Sequence, residues 1–296
     1  MSKIFHGLSA FPITPADAAG RVDTAALSRV IGSLVTAGVD SIGLLGSTGT
    51  YAYLDRAERQ RAIIAAREAA GATPLITGVG ALRTDAAQTL ARDAQEAGAD
   101  GLLLAPVSYT PLTADEVFEH FVAVAGETDL PLCIYNNPGT THFTFDLPLL
   151  TRLAAVPNIV AVKMPLPAQG DITADLAGLR TALPEGFAIG YSGDWGCSEA
   201  LLAGANAWFS VVGGLLPAQA LALTRAAKHG DREEVQAIEQ GFQPLWALLK
   251  QHGGVRVMYA AAQLMGLTEA RPPRPILPLD GATRDQVRAV LDRLQG

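Results

Sequence analysis

Short apolar runs alternate with longer amphipathic stretches from the start of the chain to about residue 228. The short runs are rich in aliphatic and β-branched residues, as buried strands are. They predict strands at residues 7–13, 41–45, 75–79, 101–105, 132–135, 159–163, 187–191 and 207–212. The amphipathic stretches predict helices at 24–37, 56–70, 84–97, 114–125, 147–154, 172–183, 197–203 and 218–228. Eight strands, each followed by a helix, make a (β/α)₈ TIM barrel the natural α/β reading.

An internal echo supports it. Ala37-Gly38-Val39-Asp40, Ala97-Gly98-Ala99-Asp100 and Ala203-Gly204-Ala205-Asn206 each close a helix and open a strand. The glycine is a helix-ending signal. A doubly wound sheet is the competing arrangement, but no Gly-x-Gly-x-x-Gly follows the first strand. Beyond residue 228 strands cease. Helices are predicted at 232–250 and 255–265, then a Pro-rich stretch, then a helix near 284–294. This divides the chain into a catalytic barrel, 1–228, and a C-terminal helical extension, 229–296, packed on it.

Composition narrows the function. With 49% hydrophobic and 17% charged residues, 296 residues bury an ample core. A net charge of -7 with no basic stripe argues against nucleic acid as partner. No apolar stretch is long enough to span a membrane, and Met1–Gly7 lacks a signal-peptide core. The two cysteines, Cys133 and Cys197, lie in or beside apolar segments, so a disulfide framework is not expected and a cytoplasmic location is.

In such a barrel, chemistry sits at the carboxyl ends of the strands. Lys163 ends the sixth strand, one of only four lysines. Two readings are open for it: a charge reaching out to solvent, or a nucleophile forming a Schiff base with a carbonyl. An amine attacks only when unprotonated, and an apolar wall disfavours the ammonium form. Asp194, after strand seven, is the nearest acid candidate by strand order. Tyr135 ends the neighbouring strand, either as rim packing or as the acid/base that dehydration of a carbinolamine requires. Gly46-Ser47-Thr48-Gly49, after strand two, pairs two hydroxyls with glycines that admit a ligand to the backbone, which suits a carboxylate or phosphate. Gly213-Gly214, after strand eight, keeps a phosphorylated substrate open. The five histidines have no metal-ligand spacing and the strand ends carry few carboxylates, so neither a metal-dependent enzyme nor a glycosidase is expected.

Taken together, Gly46-Ser47-Thr48-Gly49, Tyr135-Asn136-x-Pro138 and Val162-Lys163 resemble the dihydrodipicolinate synthase/N-acetylneuraminate lyase family over nearly the whole chain. The resemblance implies class I aldolase chemistry with no metal and no organic cofactor, and a homotetramer built as a dimer of dimers. It implies Lys163 as Schiff-base lysine, Tyr135 as proton carrier, Ser47 as extension of that relay, and Thr48 as grip on the carboxylate of a 2-oxo acid such as pyruvate. Gly193 and Asp194 match a position that touches the second substrate in some members. Val211, Ser108, Tyr109 and Thr140 complete the substrate-side candidates, with Gly46 and Gly49 in the loop.

The chain departs from the family pattern at several points. Thr50 replaces the usual glutamate after the loop. Ser108 stands where dihydrodipicolinate synthases carry a tyrosine that reaches the neighbouring subunit, with Tyr109 one step on. Thr140 replaces the arginine that binds the second substrate's carboxylate, and a threonine cannot make that bidentate pair. Met164-Pro165-Leu166-Pro167 makes the adjoining wall more apolar. The expected function is therefore a lyase or synthase joining pyruvate, or a related 2-oxo acid, to a small aldehyde or cleaving a 2-oxo-3-deoxy sugar acid. The alternatives are 4-hydroxy-tetrahydrodipicolinate synthesis with an atypical second site, dehydration of a 2-oxo-3-deoxy acid, a phosphate-binding barrel, and a silent barrel that only binds a 2-oxo acid.

Overall fold

A computed structural model describes residues 3–168 and 171–295. Part of the N-terminal segment used against a signal peptide, Met1 and Ser2, lies outside the described residues, as does Gly296 at the end of the extension. Eight parallel strands close into a barrel in chain order. They are β1 (Gly7–Ala10), β2 (Ser41–Leu44), β3 (Leu75–Gly78), β4 (Gly101–Leu104), β5 (Leu132–Tyr135), β6 (Ile159–Pro165), β7 (Ala188–Ser192) and β8 (Ala207–Ser210). The barrel helices are α1 (Thr24–Ala37), α2 (Arg56–Ala70), α3 (Thr84–Glu96), α4 (Ala114–Ala125), α5 (Pro138–Thr141), α6 (Leu147–Ala154), α7 (Ile172–Ala182), α8 (Cys197–Leu202) and α9 (Pro217–His229). The extension adds α10 (Arg232–His252), α11 (Gly254–Leu264) and α12 (Gly281–Gln295).

Local chemistry fixes many boundaries. Asp23, Asp55, Asp146 and Asp171 each cap a helix by accepting a backbone amide. The three echoed glycines, Gly38, Gly98 and Gly204, all have left-handed backbones, with φ of 80°, 87° and 98°. Three strand ends differ from the sequence expectation by two residues or more, for identifiable reasons. The first stops at Ala10, since Pro12 has no amide to extend a ladder. The eighth stops at Ser210, because the next two amides turn to Asp194. The sixth runs on to Pro165, where it still pairs with Ser192 of β7. The short helix α5 was not predicted; it is a single turn opened by Pro138.

Two cores share the molecule. The outer one joins the strands' outward faces, the helices and the extension, where Phe242 and Trp246 stack at 5.5 Å. The inner one fills the barrel with Phe5, Phe11, Ile76, Leu103, Cys133, Tyr135 and Phe209, among others. Glycines make room for its aromatic rings. A methyl group on Gly43 would lie 2.2 Å from the Phe11 ring, one on Gly46 2.6 Å from it, and one on Gly190 2.5 Å from Phe209. Such approaches are closer than packed atoms tolerate, so these positions take only glycine. Phe11 and Phe209 meet edge to face at 6.0 Å. Both cysteines are buried and free. Among the described residues no helix is long and apolar enough to cross a membrane.

Candidate active site

Tyr135 of β5 pairs in register with Lys163 of β6, so both side chains enter the barrel at the same level. The amide of Asn136 donates to the carbonyl of Lys163 at 3.0 Å, locking the two strand ends together. Lys163 is 3% exposed. Its Nζ lies 3.8 Å from the centre of the Phe11 ring, 4.2 Å from that of Tyr135 and 5.6 Å from that of Phe209. Among the described residues it forms no ion pair. A lysine this buried normally has a carboxylate partner. Here aromatic faces take that place, and the amine points into the mouth rather than out to solvent.

Two further side chains converge on Tyr135. Ser47 Oγ lies 3.4 Å from the Tyr135 hydroxyl. Asn137 Nδ2 donates to the Tyr135 oxygen at 3.0 Å and to Ser47 Oγ at 3.3 Å. The Tyr51 phenol is buried nearby, and burial, then proximity to Tyr135, pushes its pKa up to about 12. It stays protonated at neutral pH.

The Gly46–Gly49 loop carries unusual backbone geometry. Leu45 and Thr50, at its two ends, both have left-handed φ angles, 55° and 52°. Such angles are rare for side chains this bulky and collect at functional sites. Gly78 of β3 accommodates the first of them, since a methyl there would sit 1.9 Å from the Leu45 carbonyl. Thr50 is held from the extension: its Oγ1 lies 3.3 Å from the hydroxyl of Tyr259 on α11, and that hydroxyl donates to Thr14 O at 2.9 Å. Thr48 is buried. Among the described residues, the amides of Ser47 and Thr48 donate to no protein acceptor. Two open amides, two hydroxyls and a nearby amine suit a carboxylate.

The turn after β8 differs. Val211 N and Val212 N donate to the Asp194 carboxylate at 3.2 and 2.7 Å. Gly213 N donates to Ser210 Oγ, Gly214 N to Val211 O, and Leu215 N to Val212 O. No amide in this run is left for a phosphate. Asp194 also accepts from Trp208 Nε1 at 3.0 Å. Burial first of all pushes its carboxyl above the usual range, against the pull of these donors. Its side chain thus ties β7 to β8 and is turned away from the open cavity; the acid read as nearest to Lys163 is engaged in the wall.

The remaining candidates lie at the rim. Gly193 has φ 102° and packs against Leu166, which fills the space beside Gly193 and Gly196. Val211 is half-buried beside Gly254 of α11. Ser108 donates to Thr110 O, and Tyr109 is 96% exposed. Thr140 is exposed on α5, its hydroxyl folded back on Asn137 O at 3.3 Å. Among the described residues none of these five positions has a side chain that hydrogen-bonds to Lys163, Tyr135 or Ser47. Sequence reasoning missed Phe11 and Asn137. Strand alternation does place Phe11 inward, but no sequence signal reports the Asn137 contact, which spans 90 positions to Ser47. Among the described residues no group of three or more His, Cys, Asp or Glu side chains gathers to hold a metal ion.

A closed (β/α)₈ barrel with a buried lysine amine beside a tyrosine–serine pair has the construction of a class I aldolase-type lyase or synthase. Comparison with known proteins agrees. Residues 4–294 match the dihydrodipicolinate synthetase family, and the chain belongs to that family. It is an enzyme of the class I aldolase type. It is 34% identical over 281 residues to the 4-hydroxy-tetrahydrodipicolinate synthase of Methylococcus capsulatus, covering 94% of each chain. The crystal structure of dihydrodipicolinate synthase from Agrobacterium tumefaciens superimposes with a TM-score of 0.97 at 60% identity, over 98% of each chain. The chloride-inhibited dihydrodipicolinate synthase of Acinetobacter baumannii, solved with pyruvate, gives 0.90 at 27% identity, over 98% of this chain and 99% of that one.

Proposed function

We propose that this enzyme forms a Schiff base between Lys163 and the carbonyl of pyruvate or a related 2-oxo acid, and then makes or breaks a carbon–carbon bond. The observation that carries this reading is the buried Lys163 amine, with no ion-pair partner among the described residues and with the Tyr135–Ser47 pair at hand. Lys163 Nζ attacks the carbonyl carbon and gives a carbinolamine. Tyr135 supplies the proton with which the hydroxyl leaves as water, and Ser47 replenishes it. The resulting iminium is an electron sink. The Tyr135–Ser47 pair takes a proton from the adjacent carbon to give an enamine, which attacks an aldehyde carbonyl whose oxygen receives that proton; the reverse sequence cleaves the product. Water then releases the lysine. Thr48, with the Ser47 and Thr48 amides, holds the carboxylate.

The second substrate is a small aldehyde, or the aldehyde half of a 2-oxo-3-deoxy sugar acid. Thr140 supports this choice, since no bidentate cation stands there for a second carboxylate. The curated relatives named 4-hydroxy-tetrahydrodipicolinate synthase support aspartate semialdehyde as the competing acceptor; dehydration of a 2-oxo-3-deoxy acid would use the same iminium. We further propose a cytoplasmic homotetramer, a dimer of dimers, which sedimentation of the purified protein tests.

The direct test is borohydride reduction with pyruvate present. A stable adduct on Lys163 is expected, and its absence sinks the reading. Aldehydes and 2-oxo-3-deoxy acids are then screened for pyruvate consumption or release. Faster turnover of aspartate semialdehyde than of any hydroxy-aldehyde or sugar acid reverses the assignment of the second substrate.

A further inference from the structure

Asn137 occupies the N-cap position of α5, where asparagine normally uses its side chain to hold a backbone amide. Here it does not. The cap is made by its carbonyl, which accepts from the amides of Thr140 and Thr141 at 3.0 Å each. The side chain is left half-buried, and Nδ2 donates both to the Tyr135 oxygen and to Ser47 Oγ. Among the described residues the strand-4 loop adds no hydrogen bond to this cluster; Ser108 is engaged with Thr110.

Donor counting gives the arrangement a direction. An amide nitrogen donates and does not accept. Neither hydroxyl can therefore aim its proton at Asn137. One of the two protons bridges Tyr135 and Ser47 across 3.4 Å. The other is left for the cavity that holds the Lys163 amine. Without the amide, both hydroxyls are free to turn, and the proton path loses its polarity.

We infer that Asn137 is a positioning residue that orients the Tyr135–Ser47 proton path from within the same chain. This rests on the Schiff-base reading above. It adds that the relay has three members, the third being the residue that follows Tyr135-Asn136.

The test needs only pyruvate as probe. Two readouts are taken: the yield of borohydride-trapped adduct on Lys163, and the rate at which pyruvate's methyl protons exchange with deuterated water, which requires proton removal from the iminium. Asn137→Leu and Asn137→Asp are compared with the unsubstituted enzyme. The first removes the amide at similar volume, and the second keeps the shape but lacks the donor at neutral pH. Adduct yield is expected to hold in both, while exchange falls on the order of 10- to 100-fold, toward the lower end of what acid/base groups contribute. Exchange at the unsubstituted rate in either variant overturns the inference. So does loss of adduct from both, since Asn137 then serves folding or substrate binding. No adduct in the unsubstituted enzyme instead removes the Schiff-base reading beneath it.

Discussion

Two glycine-bearing turns flank β1 at the same end of the barrel. After β2, Gly46-Ser47-Thr48-Gly49 leaves two successive amides without an acceptor among the described residues, between residues held at left-handed φ. After β8, five successive amides from Val211 to Leu215 are all occupied, two of them by Asp194. Glycine content is common to both and decides nothing. What separates them is an acceptor. A buried carboxylate just after β7 fills one turn from inside the protein, and among the described residues no comparable group fills the other. An anion site is a set of donors the fold has left open, and strain at Leu45 and Thr50 is what it costs to keep them open.

The comparison can be broken in several ways. The largest effect is expected from Lys163→Met, which removes the buried amine beside Tyr135. Adduct formation should vanish and pyruvate exchange fall by at least about 10³-fold; mass spectrometry and proton NMR report these. Thr48→Val comes next. Losing one hydrogen bond to a carboxylate should raise the pyruvate concentration for half-maximal trapping roughly 10- to 100-fold. Gly46→Ala drives a methyl into the Phe11 ring, and overpacking of this kind costs about 1–3 kcal/mol, seen as a lower denaturant midpoint. Tyr259→Phe removes the hydroxyl bracing Thr50. A loss of about 1 kcal/mol of stability and a few-fold rise in the same pyruvate concentration are expected. The smallest effect belongs to the β8 turn. Inorganic phosphate at millimolar concentration should leave the NMR shifts of the Val211–Leu215 amides unchanged, and a clear shift of those amides would mean that they can be released to bind it.

Much of this was legible in the sequence. The alternation of apolar runs and amphipathic stretches carries the barrel, because strands buried on both faces write their pattern directly into the chain. Lys163 and Tyr135 come together as strand order requires, and Ser47 reaches Tyr135 from the turn after β2. Asp194 shows where such reasoning stops. Strand order locates a Cα at the mouth, but the direction of a side chain depends on which donors surround it, here Trp208 and the β8 amides. Asn137 was hidden for the opposite reason: in a turn it reads as an ordinary turn former, and its partner Ser47 is distant in the chain. Thr50 marked a change in loop support, yet only the fold names Tyr259 of α11 as the support.

That last contact bears on how proteins of this kind can be recombined. Tyr259 joins the carboxyl-terminal helices to the residue that ends the Gly46–Gly49 loop, through one hydroxyl that also reaches Thr14. A chimaera that takes its first 228 residues from this chain and its tail from a relative with another residue at position 259 would inherit the barrel without its brace. The hydroxyl of Thr50 and that of Tyr259 form a matched pair, and grafting either one calls for the other.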